Sequence, residues 1–270
     1  MEFVVEGGAG GLFVRDLGEG PPVLLLHGWP DTGALYDGVV ERLVAAGRRC
    51  LAPDLRGCGR SAKPTELERY AMAELVADVV AIIEAAGAGP VTLVGHDWGA
   101  ALAWVVATYR PDLVDSLVAV SVGHPSAFRS GGFAQLRRSW YTLLFQFEGL
   151  GEAVLRQDDY AVLRRYFVHP RAEEVIAELE RDNQISTHLL WYRANLPPDA
   201  FVRPVPVLEP VAVPVTGVWS SADLALTEGQ MRESGRYCAR GFTYHRLEGV
   251  GHWVPLEAPD ALAALILAGT

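Results

Sequence analysis

Gly95-His96-Asp97-Trp98-Gly99 follows the apolar run Val91-Thr92-Leu93-Val94. A small residue on either side of a reactive one, between a buried run and a helix-forming stretch, is the pattern of a sharp strand-to-helix turn. Such turns expose one side chain at the end of a sheet, and here that side chain is a carboxylate. As a candidate helix N-cap, Asp97 would be ordinary; the flanking glycines favour the exposed, reactive turn, because strand and helix approach closely there. A helix amino terminus would favour the ionised form. A carboxylate at such a turn is suited to displacing a leaving group from saturated carbon, with an enzyme ester as intermediate. Strained cyclic ethers and alkyl halides are substrates of that kind.

Ester hydrolysis would require a base and a group that orients it, expected in the chain order nucleophile, acid, histidine. His252, in Gly249-Val250-Gly251-His252-Trp253, follows the last apolar strand pattern. His245 lies within that strand pattern, and His27, His96, His124, His169 and His188 do not follow it. Asp223 comes just after Val213–Trp219, through Ser220-Ser221-Ala222, where the orienting acid is expected. Glu209 and Glu228 are less well placed, and Val122-Gly123-His124-Pro125 offers no carboxylate. His27-Gly28-Trp29-Pro30 closes another apolar run, so the N–H groups of Trp29 and Trp98 are candidate oxyanion-hole donors. Asp54-Leu55-Arg56-Gly57-Cys58-Gly59-Arg60-Ser61 is Gly-rich but lacks the Lys-Ser/Thr ending of a phosphate loop, and reads as structural.

The elements that must hold these residues follow from periodicity. Phe3–Glu6 and Leu12–Asp16 read as a hairpin about a Gly-rich turn. Val23–Leu26, Cys50–Ala52, Val91–Val94, Leu117–Val122 and Val213–Trp219 are short apolar runs, expected for strands buried on both faces. Helical stretches lie between them at Ala34–Ala46, Tyr70–Ala86 and Ala100–Tyr109, with Leu75, Val79, Ile82 and Ile83 on one face of the second. Alternation of this kind predicts an α/β fold with a mostly parallel sheet covered on both sides. It stops near Gly123. A helical, aromatic-rich segment over 123–210 is expected to sit above the sheet as a lid, leaving 1–122 and 211–270 as the core domain. The Pro-rich stretch Pro197–Pro214 would lead back to the core, followed by a helix around Thr227–Ala239, the strand Phe242–Leu247 and a final helix around Leu256–Ala268.

The chain has 270 residues, is 50% hydrophobic and carries a formal net charge of −10, enough for one large core and a poor match to nucleic acid. Its amino terminus lacks a secretion-signal pattern, and no apolar run reaches the length of a membrane span. Cys50, Cys58 and Cys238 have neither disulfide-framework nor zinc spacing. The cytoplasm is the expected compartment. A monomer and a homodimer are both compatible with the sequence.

Taken together, His27–Pro30, Asp54–Ser61, Gly95–Gly99, Asp223 and Gly251-His252-Trp253 resemble the α/β-hydrolase fold, in the epoxide hydrolase group of its aspartate-nucleophile branch. That branch also contains haloalkane and fluoroacetate dehalogenases. The resemblance implies two lid tyrosines that protonate the departing oxygen. Tyr141, within Trp140-Tyr141-Thr142-Leu143-Leu144-Phe145-Gln146, and Tyr192, within Trp191-Tyr192-Arg193, match their settings, with Tyr160 and Tyr166 as the fallback pair. No arginine follows the nucleophile, which disfavours an anionic substrate. The resemblance implies epoxide conversion to a vicinal diol with water and without metal or organic cofactor. Haloalkane dehalogenation is the alternative, and a non-catalytic small-molecule receptor on the same scaffold a third reading. Trp29, Trp98, Trp140 and Trp191 are the expected lining of an apolar pocket suited to a bulky or aromatic epoxide.

Overall fold

The computed structural model describes residues 1–201 and 208–269. Part of the Pro197–Pro214 stretch therefore lies outside the described residues. Eight strands form one sheet: β1 (Glu2–Gly7), β2 (Gly10–Leu17), β3 (Pro22–Leu26), β4 (Arg49–Pro53), β5 (Val91–His96), β6 (Val114–Val120), β7 (Val215–Ser220) and β8 (Phe242–Leu247). Their spatial order is β1-β2-β4-β3-β5-β6-β7-β8. The β1–β2 and β2–β4 pairs are antiparallel, and the remaining pairs are parallel. The α/β-hydrolase architecture expected from the sequence is the one observed.

Helices α1 (Asp37–Ala45), α2 (Met72–Ala85) and α3 (Trp98–Tyr109) connect the first strands. Between β6 and β7 the described chain is helical, with α4 (Gly132–Arg138), α5 (Trp140–Leu144), α6 (Leu150–Ala161), α7 (Ala172–Glu180) and α8 (Gln184–Asn195) joined by tighter turns. The chain ends with α9 (Glu228–Glu233), α10 (Val254–Glu257) and α11 (Pro259–Ala268).

Strand alternation sorts the core into two layers. Val23 and Leu25 of β3 pack with Val39 and Leu43 of α1 and Leu262 and Ile266 of α11 on one face. Leu24 and Leu26 point the other way, among Leu75, Val79 and Ile82 of α2 and Trp104 of α3. All six residues of β5 are buried, as a central strand covered on both faces requires. The turn carrying Asp97 therefore starts from a strand buried along its whole length.

Among the boundaries that differ from the sequence reading, three have a local cause. β6 starts at Val114 and stops at Val120, because Ser121 has φ 68° and leaves the extended region. The helix expected at Thr227–Ala239 is shorter: α9 ends at Glu233 and a 3-10 turn follows over Ser234–Tyr237. The final helix is broken between α10 and α11, where Ala258 (φ −140°, ψ 52°) precedes Pro259; proline disfavours a helical residue before it.

Candidate active site

Asp97 links β5 to α3 with φ 53° and ψ −122°, a left-handed backbone that L-residues seldom adopt and that is retained where surroundings over-determine it. Here the surroundings are three glycines. A Cβ on Gly95 would fall on the Gly99 carbonyl, one on Gly99 on the Leu26 carbonyl, and one on Gly28 on the Asp97 side chain. Strand, turn, α3 and the loop after β3 thus meet with no room for a side chain at positions 28, 95 or 99. Asp97 makes no side-chain capping bond to α3. Instead its Oδ1 accepts the Trp29 N–H at 3.0 Å.

His252 sits in the loop after β8, with Nε2 3.8 Å from Asp97 Oδ2. Its Nδ1 is 3.0 Å from Asp223 Oδ2, in the loop after β7. Asp223 is fixed in turn by the N–H groups of Ala225 and Leu226, which donate to Oδ1 at 2.8 and 2.9 Å. All three side chains are buried. The order Asp97, His252, Asp223 in space is the arrangement of a nucleophile, a base and its orienting acid.

Burial raises the Asp97 carboxyl above its ordinary value, against the pull of the His252 charge and of the Trp98 and Trp29 amides. The helix terminus alone therefore does not set its ionisation. Burial also disfavours the charged form of His252, but the Asp223 charge and hydrogen bond, with help from Asp97, outweigh it and push His252 up to about 9. For Asp223, burial is overcome by the His252 charge, their hydrogen bond and the two backbone donors, and its carboxyl lies below the ordinary value.

Above the turn, the helical segment supplies Tyr141 from α5 and Tyr192 from α8. Both are buried, and both line the same cavity of about 850 Å³ as Asp97. Their ring centroids are 6.2 Å apart, and Tyr192 stands edge-on to Trp98 at 5.1 Å. Burial raises both phenols well above the usual value, and the negative charge of Asp97 adds to it. Each remains an O–H donor across the neutral range. Tyr160 and Tyr166 do not line this cavity; Tyr160 bonds to Glu180 and Tyr166 accepts from Trp140.

The four tryptophans separate. Trp98 borders the large cavity. Trp140 does not: it is 36% exposed and its indole N–H donates to the Tyr166 hydroxyl at 2.8 Å. Trp191 is buried, with its N–H on the Arg56 carbonyl at 2.9 Å. The Trp29 ring is packed among Tyr141, Phe145, Phe167 and Tyr192. Trp29 and Trp191 border a second void of about 10 Å³, near the size one water needs. Trp29, Trp140 and Trp191 therefore do not line the large cavity: the Trp29 ring is covered by aromatic neighbours, and for Trp140 and Trp191 the sequence does not say which face of a short helix turns inward.

Several positioning residues were not legible. His96, adjacent to Asp97, places Nε2 2.9 Å from the His252 carbonyl, and burial pushes its ring down to about 3, so it acts as a neutral prop. Ser220 donates to the Gly251 carbonyl at 2.6 Å. Asp31, two residues after Trp29, accepts from the Trp253 indole at 3.0 Å and faces His169 Nε2 of the helical segment at 3.3 Å. His27 Nε2 accepts the Leu55 N–H at 2.9 Å, and Asp54 accepts from Gly33 and Arg60, so the Gly-rich loop is held as a structural turn. Position next to the reactive turn or loop was the only sequence signal these residues carried.

Comparison with known proteins agrees with this fold. The alpha/beta hydrolase fold family model matches residues 21–259. The AB hydrolase superfamily protein YfhM of Bacillus subtilis is 28% identical, over 92% of this chain and 90% of its own. Epoxide hydrolase 1 of Caenorhabditis elegans is also 28% identical, over 89% of this chain but 62% of its own length. Among solved structures, an epoxide hydrolase from hot-environment metagenomes superposes with a TM-score of 0.87 at 26% identity, covering 100% of this chain and 99% of that one. A match through most of the sequence, carried on the same sheet, makes this protein a member of the α/β-hydrolase fold family.

Proposed function

We propose that the protein is an epoxide hydrolase that forms a covalent ester on Asp97. The observation that carries this reading is the facing pair: a buried carboxylate that accepts the Trp29 N–H, and two buried phenols lining the same cavity. The carboxylate attacks one ring carbon in line with the breaking C–O bond, and positioning supplies much of the rate. A phenol of Tyr141 or Tyr192 gives its proton to the departing oxygen. His252, oriented by Asp223, then takes a proton from water, which adds to the ester carbonyl. The Trp29 N–H, which already donates to Asp97 Oδ1, and the neighbouring Trp98 N–H receive the oxyanion. The adduct collapses with its proton passing to the leaving oxygen, the diol departs, Asp97 regains its charge, and the proton held by His252 is returned to restore the phenol. The names of the relatives support the same substrate class.

Halide loss from a haloalkane uses the same nucleophile and base but no proton donor. The paired phenols favour ring opening, since a halide leaves without a proton. Incubation with styrene oxide, aliphatic epoxides and a haloalkane panel separates the two. Diol formation without halide release is expected; halide release without diol would reverse the assignment.

The charges give a pH signature. Acid protonates Asp97, whose carboxyl lies above its ordinary value, so ester formation falls on the acid side. Ester formation also removes the Asp97 charge, one of the causes holding His252 near 9. In the ester His252 therefore releases its proton below that value, and ester hydrolysis rises with pH through a midpoint under 9. Single-turnover kinetics resolve the two steps. A hydrolysis rate unchanged between pH 6.5 and 9 would contradict His252 as base.

A further inference from the structure

The outer side of the helical segment carries an apolar seam. Only Ser139 separates α4 from α5, and the backbone ladder runs on through it. The Ser139 N–H donates to the Gln135 carbonyl at 2.9 Å, Thr142 to Ser139 at 3.0 Å, Phe145 to Tyr141 at 3.0 Å and Phe147 to Leu144 at 3.1 Å. Along this rod Phe133, Leu136, Trp140, Leu143 and Phe147 follow one another at spacings of three, four, three and four residues. That is the alternation of a coiled-coil seam, kept over two heptads. All five are exposed, Phe133 at 76% and Phe147 at 58%. The inner side holds Gln135, Ser139, Tyr141 and Thr142, which are buried and line the cavity. The fold therefore covers one face of the rod and leaves the other bare.

Taking some 200 Å² per side chain, the five expose about 500 Å² of apolar surface. Monomeric proteins rarely show a contiguous patch of more than a few hundred Å². Tyr166, whose ring centroid is 5.4 Å from that of Trp140, and Leu150, at the start of α6, are exposed as well. They widen the patch toward the roughly 800 Å² that each partner gives to a stable interface. Charge is placed unevenly beside it. Arg137 borders the amino-terminal half and Glu148 lies just past Phe147, both exposed. Neither has an ion-pair partner among the described residues.

We infer that two copies of this chain pair through this seam, antiparallel about a twofold axis. An isologous contact needs a surface complementary to itself. Centred between Trp140 and Leu143, the pairing sets Trp140 against Leu143 of the second copy, Leu136 against its Phe147 and Phe133 toward its Leu150. Arg137 then falls within two residues of the other copy's Glu148, roughly 3 Å along the axis. A parallel pairing sets Arg137 beside Arg137 and Glu148 beside Glu148. Exposed ion pairs add little affinity, so the seam binds and the charges choose the direction. A bilayer surface fits less well: the chain has a formal net charge of −10 and Glu148 borders the patch, both unfavourable against anionic headgroups. The second copy lies behind α5, outside the cavity, so pairing is independent of the substrate.

The test is mass in solution, by light scattering across about a hundredfold range of protein concentration. Expected is twice the chain mass. Leu136→Glu with Leu143→Glu, at exposed sites and checked for folding by circular dichroism, should revert it to one chain. Arg137→Glu and Glu148→Arg should each weaken the dimer by about threefold to tenfold, and together restore it. A single-chain mass at every concentration overturns the inference, as does a dimer unmoved by the two glutamates. Charge reversals that fail to rescue each other overturn the antiparallel direction. Single-chain protein that floats with vesicles of phosphatidylcholine and phosphatidylglycerol overturns the dimer and assigns the seam to a membrane.

Discussion

Replacing His252 with glutamine should leave a protein that accepts one equivalent of epoxide and stops. Nothing is lost in ring opening, so intact-mass spectrometry should show an adduct equal to the whole epoxide, on the peptide containing Asp97. Turnover should fall by at least about 10³-fold, within the range for removal of a general base. The expectation follows from geometry: Nε2 lies 3.8 Å from Asp97 Oδ2, a gap that leaves the first step to the carboxylate and phenols and the second to the imidazole. Asp97→Ala should lose both adduct and turnover, by at least about 10⁴-fold, since among the described residues no other carboxylate lines the cavity. An unmodified His252→Gln protein that still forms diol would remove the covalent route.

The second large effect is expected from the phenols. Tyr141→Phe with Tyr192→Phe should slow ester formation by roughly 10³-fold, the scale of a lost general acid. Hydrolysis of ester once formed should be nearly unaffected, so the His252→Gln background combined with both changes should show adduct appearing slowly. Each single change should cost less than the pair, because the two rings lie within 6.2 Å and share one cavity wall. A haloalkane, if turned over at all, should be indifferent to both. Equal loss of both half-reactions in the double variant would mark the rings as packing alone.

The sequence was most informative where one residue type answers one geometric demand. Gly95, Gly99 and Gly28 are legible because their neighbours leave no volume, and β8 coincides with Phe242–Leu247 because strand alternation is bounded by turns. Asp223 and His252 could be picked from their place after strands, and the structure brings both beside Asp97. The helical segment was harder. Its helices are short, and residues such as Trp140 and Trp191 are both apolar and aromatic, yet one meets solvent and the other the Arg56 carbonyl. Which face of a short helix turns inward depends on what it lands on, and that partner is far away in sequence. The same holds for Asp31 and His169, whose contact joins the loop after β3 to the helical segment across 138 positions.

The strand order has a consequence for how the molecule is made. β6 is buried along almost its whole length, and its outer neighbour β7 is synthesised only after the entire helical segment. Until then, β6 is the open margin of a growing sheet, with an apolar ladder ready to accept another chain. A nascent protein at that stage is exposed to mispairing, and late-forming parallel contacts lengthen the interval.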